Sequence, residues 1–236
     1  MNDLVRGCGV ALVTPFADGE IDYEVLGKLV EMHVENSGSI IVAGTTSEAA
    51  TMTDEEYHTV VEFVIDRVNK RIPVIAGAGS NCTQAAVKKA QFCEEAGADG
   101  LLIVTPYYNK TTQRGLVNHY KIIAESTSLP IIVYNVPART GMNIEPKTVL
   151  ELSKIKNIVG IKEASGDISQ IAEIIRICPD DFLVYSGNDD MVVPLMSLGG
   201  HGVISVSANI LPAEMKKMVD DYRNGNVNDA KNAQLA

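Results

Sequence analysis

Eight short apolar runs rich in β-branched residues recur along the chain: GVALVTPF (9–16), SIIVAGTT (39–46), IPVIAGAG (72–79), GLLIVTPYY (100–108), PIIVYNVP (130–137), IVGIKEA (158–164), FLVYSGND (182–189) and GVISVSAN (202–209). Their spacing of ~25–30 residues is the length of one βα unit. Near-continuous Val/Ile/Leu runs predict parallel strands buried on both faces. The segments between them carry helix signals. Thr53 precedes Asp54-Glu55-Glu56 with Glu56 at capping-box spacing. Thr83 opens a helix that Gly97 ends. Pro146 and Pro212 each suit a first helical turn before an apolar stripe.

Strand and helix alternate eight times without a linker or low-complexity break, which predicts a single (β/α)₈ TIM barrel over residues 1–236. A doubly wound sheet is the rival, but it calls for a GxGxxG turn after the first strand. Thr14-Pro15-Phe16 stand there instead, and Ala-Gly-Ala-Gly-Ser at 76–80 is only a partial glycine pattern.

Composition narrows the function. With 46% hydrophobic residues among 236, the chain can bury one sizeable core. A net charge of −10 argues against non-specific binding to nucleic acid or anionic membrane, both of which need clustered Lys/Arg. Cys8, Cys82, Cys93 and Cys178 form no CxxC pair, so no metal site is expected, and they read as small apolar core residues or inert thiols. The opening MNDLVRG has no apolar core of a leader, and no apolar run reaches the ~18–20 residues that span a bilayer. A soluble cytoplasmic protein is the expectation.

In a barrel, chemistry gathers where strands end. The second run ends in Gly44-Thr45-Thr46-Ser47-Glu48, the fourth in Pro106-Tyr107-Tyr108-Asn109, and the fifth in Tyr134-Asn135-Val136-Pro137 followed by Arg139. Within the sixth, Lys162 interrupts an apolar stretch. A buried ammonium is costly, so its pKa should fall, and a neutral amine attacks ketones. The other reading of Lys162 is a structural lysine paired with a neighbouring carboxylate such as Glu163. Tyr108 and Tyr134 could relay protons through a threonine hydroxyl, or simply pack under loops. Arg139 offers a fork for a carboxylate substrate, or a surface ion pair. His33, His58, His119 and His201 are dispersed without metal-ligand spacing, and no P-loop, HExxH or GxSxG is present.

GTT-x-E, VTPYYN, YNVPARTG, GIKEASGD and GGHGVISV follow one another in an order and spacing that resembles the dihydrodipicolinate synthase / N-acetylneuraminate lyase superfamily of pyruvate aldolases. The resemblance runs from Gly9 to Val206. It implies a Schiff-base role for Lys162 and a proton relay through Thr45, Tyr108 and Tyr134, with Tyr108 reaching a neighbouring subunit of a homo-oligomer. It also implies that Thr46 holds the pyruvate carboxylate and that Arg139 receives the carboxylate of L-aspartate-β-semialdehyde. Gly187 and Ile204 match positions whose backbone lines the pocket. The implied reaction joins pyruvate to that aldehyde, giving 4-hydroxy-tetrahydrodipicolinate for diaminopimelate and lysine synthesis, with no metal or organic cofactor. A lyase of sialic acid or of 2-keto-3-deoxy sugar acids is a second reading, and a catalytically silent barrel a third.

Three features depart from the family pattern. Ser47 stands where the family has glycine; if the turn needs φ > 0 there, serine costs ~1 kcal/mol or more and displaces Thr45 and Thr46. The chain ends soon after its eighth helix, so the family's C-terminal helical extension is expected to be absent, leaving apolar surface exposed. Ala85 and Tyr57 replace an acid and a histidine of lysine-inhibited members, which implies weak or absent feedback by lysine.

Overall fold

In the computed structural model, which describes residues 4, 5 and 7–236, every apolar run supplies a strand. MNDLVRG, read above for a leader, lies mostly outside those residues. The strands are β1 (Cys8–Ala11), β2 (Ser39–Val42), β3 (Val74–Gly77), β4 (Gly100–Val104), β5 (Ile131–Asn135), β6 (Ile158–Glu163), β7 (Leu183–Ser186) and β8 (Gly202–Ser205). All pair in parallel with their sequence neighbours, and β8 closes on β1, so the expected TIM barrel is the fold. Phe16, counted with the first run, belongs instead to a small antiparallel ribbon with Glu20–Ile21.

The helices are α1 (Tyr23–Asn36), α2 (Asp54–Val68), α3 (Thr83–Glu95), α4 (Gln113–Ala124), α5 (Pro137–Thr140), α6 (Pro146–Leu152), α7 (Ile168–Ile177), α8 (Val192–Ser197), α9 (Pro212–Arg223) and α10 (Val227–Leu235). The Thr53/Glu56 capping box forms in full, and Pro146 and Pro212 each occupy a first helical turn. The pattern of apolar positions does not anticipate α5 or α10. The first has four residues, too few for a period, and the second buries only Ala230. Among the described residues no helix is long and apolar enough to cross a membrane.

Alternation along the strands splits the core in two. Ala11, Ile41, Ile75, Leu102, Ile132, Tyr134, Tyr185 and Ile204 fill the barrel interior, while Val10, Ile40, Ile103, Val133 and Ile161 pack outward against the helices. One irregularity decides what faces in. Ile131 pairs with Ile158 but Ile132 pairs with Gly160, so Val159 is an extra residue in β6, a β-bulge. A one-residue shift exchanges the faces of a strand. Beyond the bulge, Ile161 lies opposite outward Val133, and Lys162 lies opposite inward Tyr134. Gly160 is required beside it: a Cβ there would lie 2.4 Å from the Leu183 carbonyl oxygen.

Candidate active site

Strand β2 ends in a strained turn. Ala43 has φ +53° and Glu48 φ +61°, both in the left-handed region. Ser47, between them, is not among the positive-φ residues. Its hydroxyl donates to the Leu12 carbonyl (2.6 Å) and accepts from the Gly44 amide (3.2 Å), fully buried. The backbone penalty considered for a serine here therefore does not arise, because the left-handed conformation falls on the next residue. Serine instead ties the turn to the end of β1.

Across the interior, Lys162 is 4% exposed and its Nζ lies 4.5 Å from the centroid of the Tyr134 ring. Burial lowers its pKa to about 8; the carboxylate of Asp189 opposes this and the Arg139 guanidinium adds to it. The same burial raises the Tyr134 phenol, against the charge of Arg139 and a hydrogen bond with the Thr45 side chain. Glu163 is not the partner of Lys162. It lies on the opposite face of β6 and accepts hydrogen bonds from Asn135, Ser165 and Gln170, so strand alternation rules out Glu163 as the carboxylate paired with Lys162, and Asp189 is the carboxylate whose charge reaches it.

A cleft of about 640 Å³ opens at the C-terminal end of the barrel, with Thr45, Tyr107, Tyr108, Tyr134, Arg139 and Lys89 in its walls. The Tyr134 ring is thus shared between this cleft and Lys162. Gly187 sits against the lysine: a Cβ on it would meet Lys162 Cε at 3.1 Å and Ala164 Cβ at 2.7 Å. Ile204 belongs to the same interior cluster as Tyr134. Thr46 is half-buried in the turn after β2 and is not among the cleft-lining residues. Tyr108 is 90% exposed with φ +68°, on the rim rather than over Lys162.

His33 and His119 are buried, each with its pKa pushed down to about 4 by burial. Among the described residues no group of three or more His, Cys, Asp or Glu could hold a metal ion. A buried amine whose lowered pKa leaves about half of it neutral near pH 8, a phenol linked to a hydroxyl, and a guanidinium at the rim can together add nitrogen to the carbonyl of a carboxylate-bearing substrate. Asn135, next to Tyr134 in β5, is fully buried and hydrogen-bonds Glu163, Asn143 and the Ile144 amide; the sequence signal for it is a second polar residue beside Tyr134 in an otherwise apolar strand.

The sequence profile of the dihydrodipicolinate synthetase family matches residues 4–235. The 4-hydroxy-tetrahydrodipicolinate synthase of Acetivibrio thermocellus is 56% identical over 234 residues, covering 99% of this chain and 80% of its own. That of Caldicellulosiruptor saccharolyticus is 58% identical over 234 residues, covering 98% of this chain and 79% of its own. The structure of the chloride-inhibited dihydrodipicolinate synthase from Acinetobacter baumannii, complexed with pyruvate, matches with a TM-score of 0.95 at 45% identity, covering 98% of this chain and 80% of that one.

Proposed function

The chain belongs to the dihydrodipicolinate synthetase family, and on that premise we propose that it condenses pyruvate with L-aspartate-β-semialdehyde to 4-hydroxy-tetrahydrodipicolinate, in the route to diaminopimelate and lysine. The observation that carries the reading is Lys162: buried in the barrel wall, against the Tyr134 ring, with its pKa drawn down to about 8. It is a lyase of the Schiff-base type. The neutral Lys162 amine adds to the keto carbon of pyruvate. Tyr134 and Thr45 pass protons so that the carbinolamine loses water to give the imine, and loss of a methyl proton then gives the enamine. The enamine carbon attacks the aldehyde. The amine of the second substrate then closes on the imine carbon, releasing Lys162 and forming the ring.

In this reading Arg139 holds the carboxylate of the aldehyde substrate and Thr46 that of pyruvate, while the backbone at Gly187 and Ile204 shapes the pyruvate end. Tyr108, exposed on the rim, completes the relay in a second copy of the chain, which makes the working form a homo-oligomer. Residues 1–236 act as one barrel domain, in the cytoplasm, with no metal or organic cofactor. Turnover of L-aspartate-β-semialdehyde, against none of N-acetylneuraminate or a 2-keto-3-deoxy sugar acid, tests the substrate; the reverse preference would sink it.

The pKa of Lys162 sets a pH dependence. It lies below the ordinary lysine value, so the reactive neutral form gains as pH rises through about 8 and saturates above it. Pyruvate-imine formation, trapped by borohydride at a series of pH values, should rise ~10-fold per unit below ~7 and flatten above ~9. A rate still climbing steeply from pH 9 to 10 would mean an unperturbed lysine.

Feedback by lysine is expected to be weak or absent. Tyr57 is buried and donates its hydroxyl to the Gly77 carbonyl (2.9 Å), and Ala85 offers no charge. Initial rates should hold within about twofold as lysine is raised to millimolar concentration, since an ammonium group lacks its charge partner here; strong inhibition would contradict this.

A further inference from the structure

Behind the barrel wall, on the face turned away from the cleft, lies a buried polar network without a cation in it. Its centre is Glu163, 1% exposed. Oε1 accepts from Asn135 Nδ2 (3.1 Å) and from the Ser165 amide (2.7 Å). Oε2 accepts from Asn135 Nδ2 (3.0 Å) and from Gln170 Nε2 (3.2 Å). The Glu163 carbonyl accepts from the Gly187 amide at 2.8 Å.

Asn135 carries the network onward. Its Oδ1 accepts from the Ile144 amide (3.0 Å) and its Nδ2 also donates to Asn143 Oδ1 (2.9 Å). Asn143 donates to Gln170 Oε1 (2.8 Å), and its carbonyl accepts from Gln113 Nε2 (2.9 Å). The segment at 141–144 is the chain leaving α5, the short helix that holds Arg139.

Stability alone does not account for this arrangement. Buried carboxylates are costly, and well-packed apolar replacements are often neutral or better. Burial indeed raises the pKa of Glu163. What the network supplies is a choice of face. Asn135 pairs with Glu163 on the rung next to Tyr134 and Lys162. The Val159 bulge leaves two possible side-chain phases for the end of β6. Only the phase that turns Glu163 outward gives its oxygens four hydrogen bonds from three donor groups, and that phase turns Lys162 inward.

We propose that Glu163 is a positioning residue: from the reverse face of the wall its carboxylate sets the orientation of Lys162 against Tyr134 and anchors the segment that carries Arg139. The inference rests on the Schiff-base reading of Lys162 given above.

The test is Glu163→Gln in the full chain. The amide keeps the shape but turns an N–H toward one of the donors now facing the carboxylate. Three quantities are compared with wild type: the rate of borohydride-trapped pyruvate adduct on Lys162 per folded molecule, the steady-state kcat, and the melting temperature. Displacements near an ångström are enough to slow chemistry by up to ~100-fold, so adduct rate and kcat should both fall ~10–100-fold. Gln170→Met, which removes one donor at the edge of the network, should fall less in the same direction and serves if Glu163→Gln does not fold. The double exchange Asn135→Asp with Glu163→Gln restores a donor facing an acceptor on the rung and should recover part of the adduct rate. A lower melting temperature with an unchanged adduct rate would make Glu163 structural only and overturn the inference alone. Absence of any adduct on wild-type Lys162 would overturn the Schiff-base reading and this inference with it.

Discussion

Lys162→Ala leaves a folded barrel that forms no trapped pyruvate adduct and turns over at least about 10³-fold more slowly, because the covalent step has lost its nucleophile. Stability should hold or rise. The wild-type lysine sits in an apolar interior with its charged form disfavoured by burial, and removing it relieves that cost. The cavity it leaves acts in the opposite direction. Thermal melting of the variant beside adduct mass and kcat separates loss of chemistry from loss of fold. A variant that melts as wild type and keeps its turnover would remove Lys162 from the mechanism.

Tyr134→Phe is the second large effect. The ring that faces the Lys162 amine stays, so its packing and the 4.5 Å approach are retained. The phenol and its hydrogen bond with Thr45 are lost. If Tyr134 moves protons in carbinolamine formation and dehydration, kcat and the adduct rate should drop ~10²–10⁴-fold, the usual worth of a positioned acid–base group. A structural tyrosine would show a change in melting temperature from one lost hydrogen bond, about 1 kcal/mol net, with turnover nearly intact. The two outcomes differ in which observable moves, so one variant decides between relay and packing.

Much of this arrangement was legible in the order of residues. Eight apolar runs became the eight strands because parallel barrel strands are buried on both faces and tolerate little else. Lys162 stood out because a lone cation in such a run needs a reason. The direction it faces was not legible. Strict alternation from Ile158 does not predict the bulge at Val159, which shows only in the pairing of β6 with β5, beside a Gly160 that Leu183 of β7 leaves no room to carry a side chain. For the same reason Glu163 looked like a partner for Lys162, when one rung's alternation puts the two on opposite faces of the wall. Ser47 illustrates the reverse error. A glycine replaced in a turn suggests a conformational need, but the left-handed residues are Ala43 and Glu48, and the serine hydroxyl meets a backbone carbonyl that no local pattern reveals.

The measurement that bears most directly on the central claim is borohydride reduction of the wild-type protein with pyruvate, followed by peptide mapping. One reduced pyruvyl group per chain, on the peptide that carries Lys162, is the predicted result. An adduct on another lysine, or none in a sample shown to be folded, would contradict it.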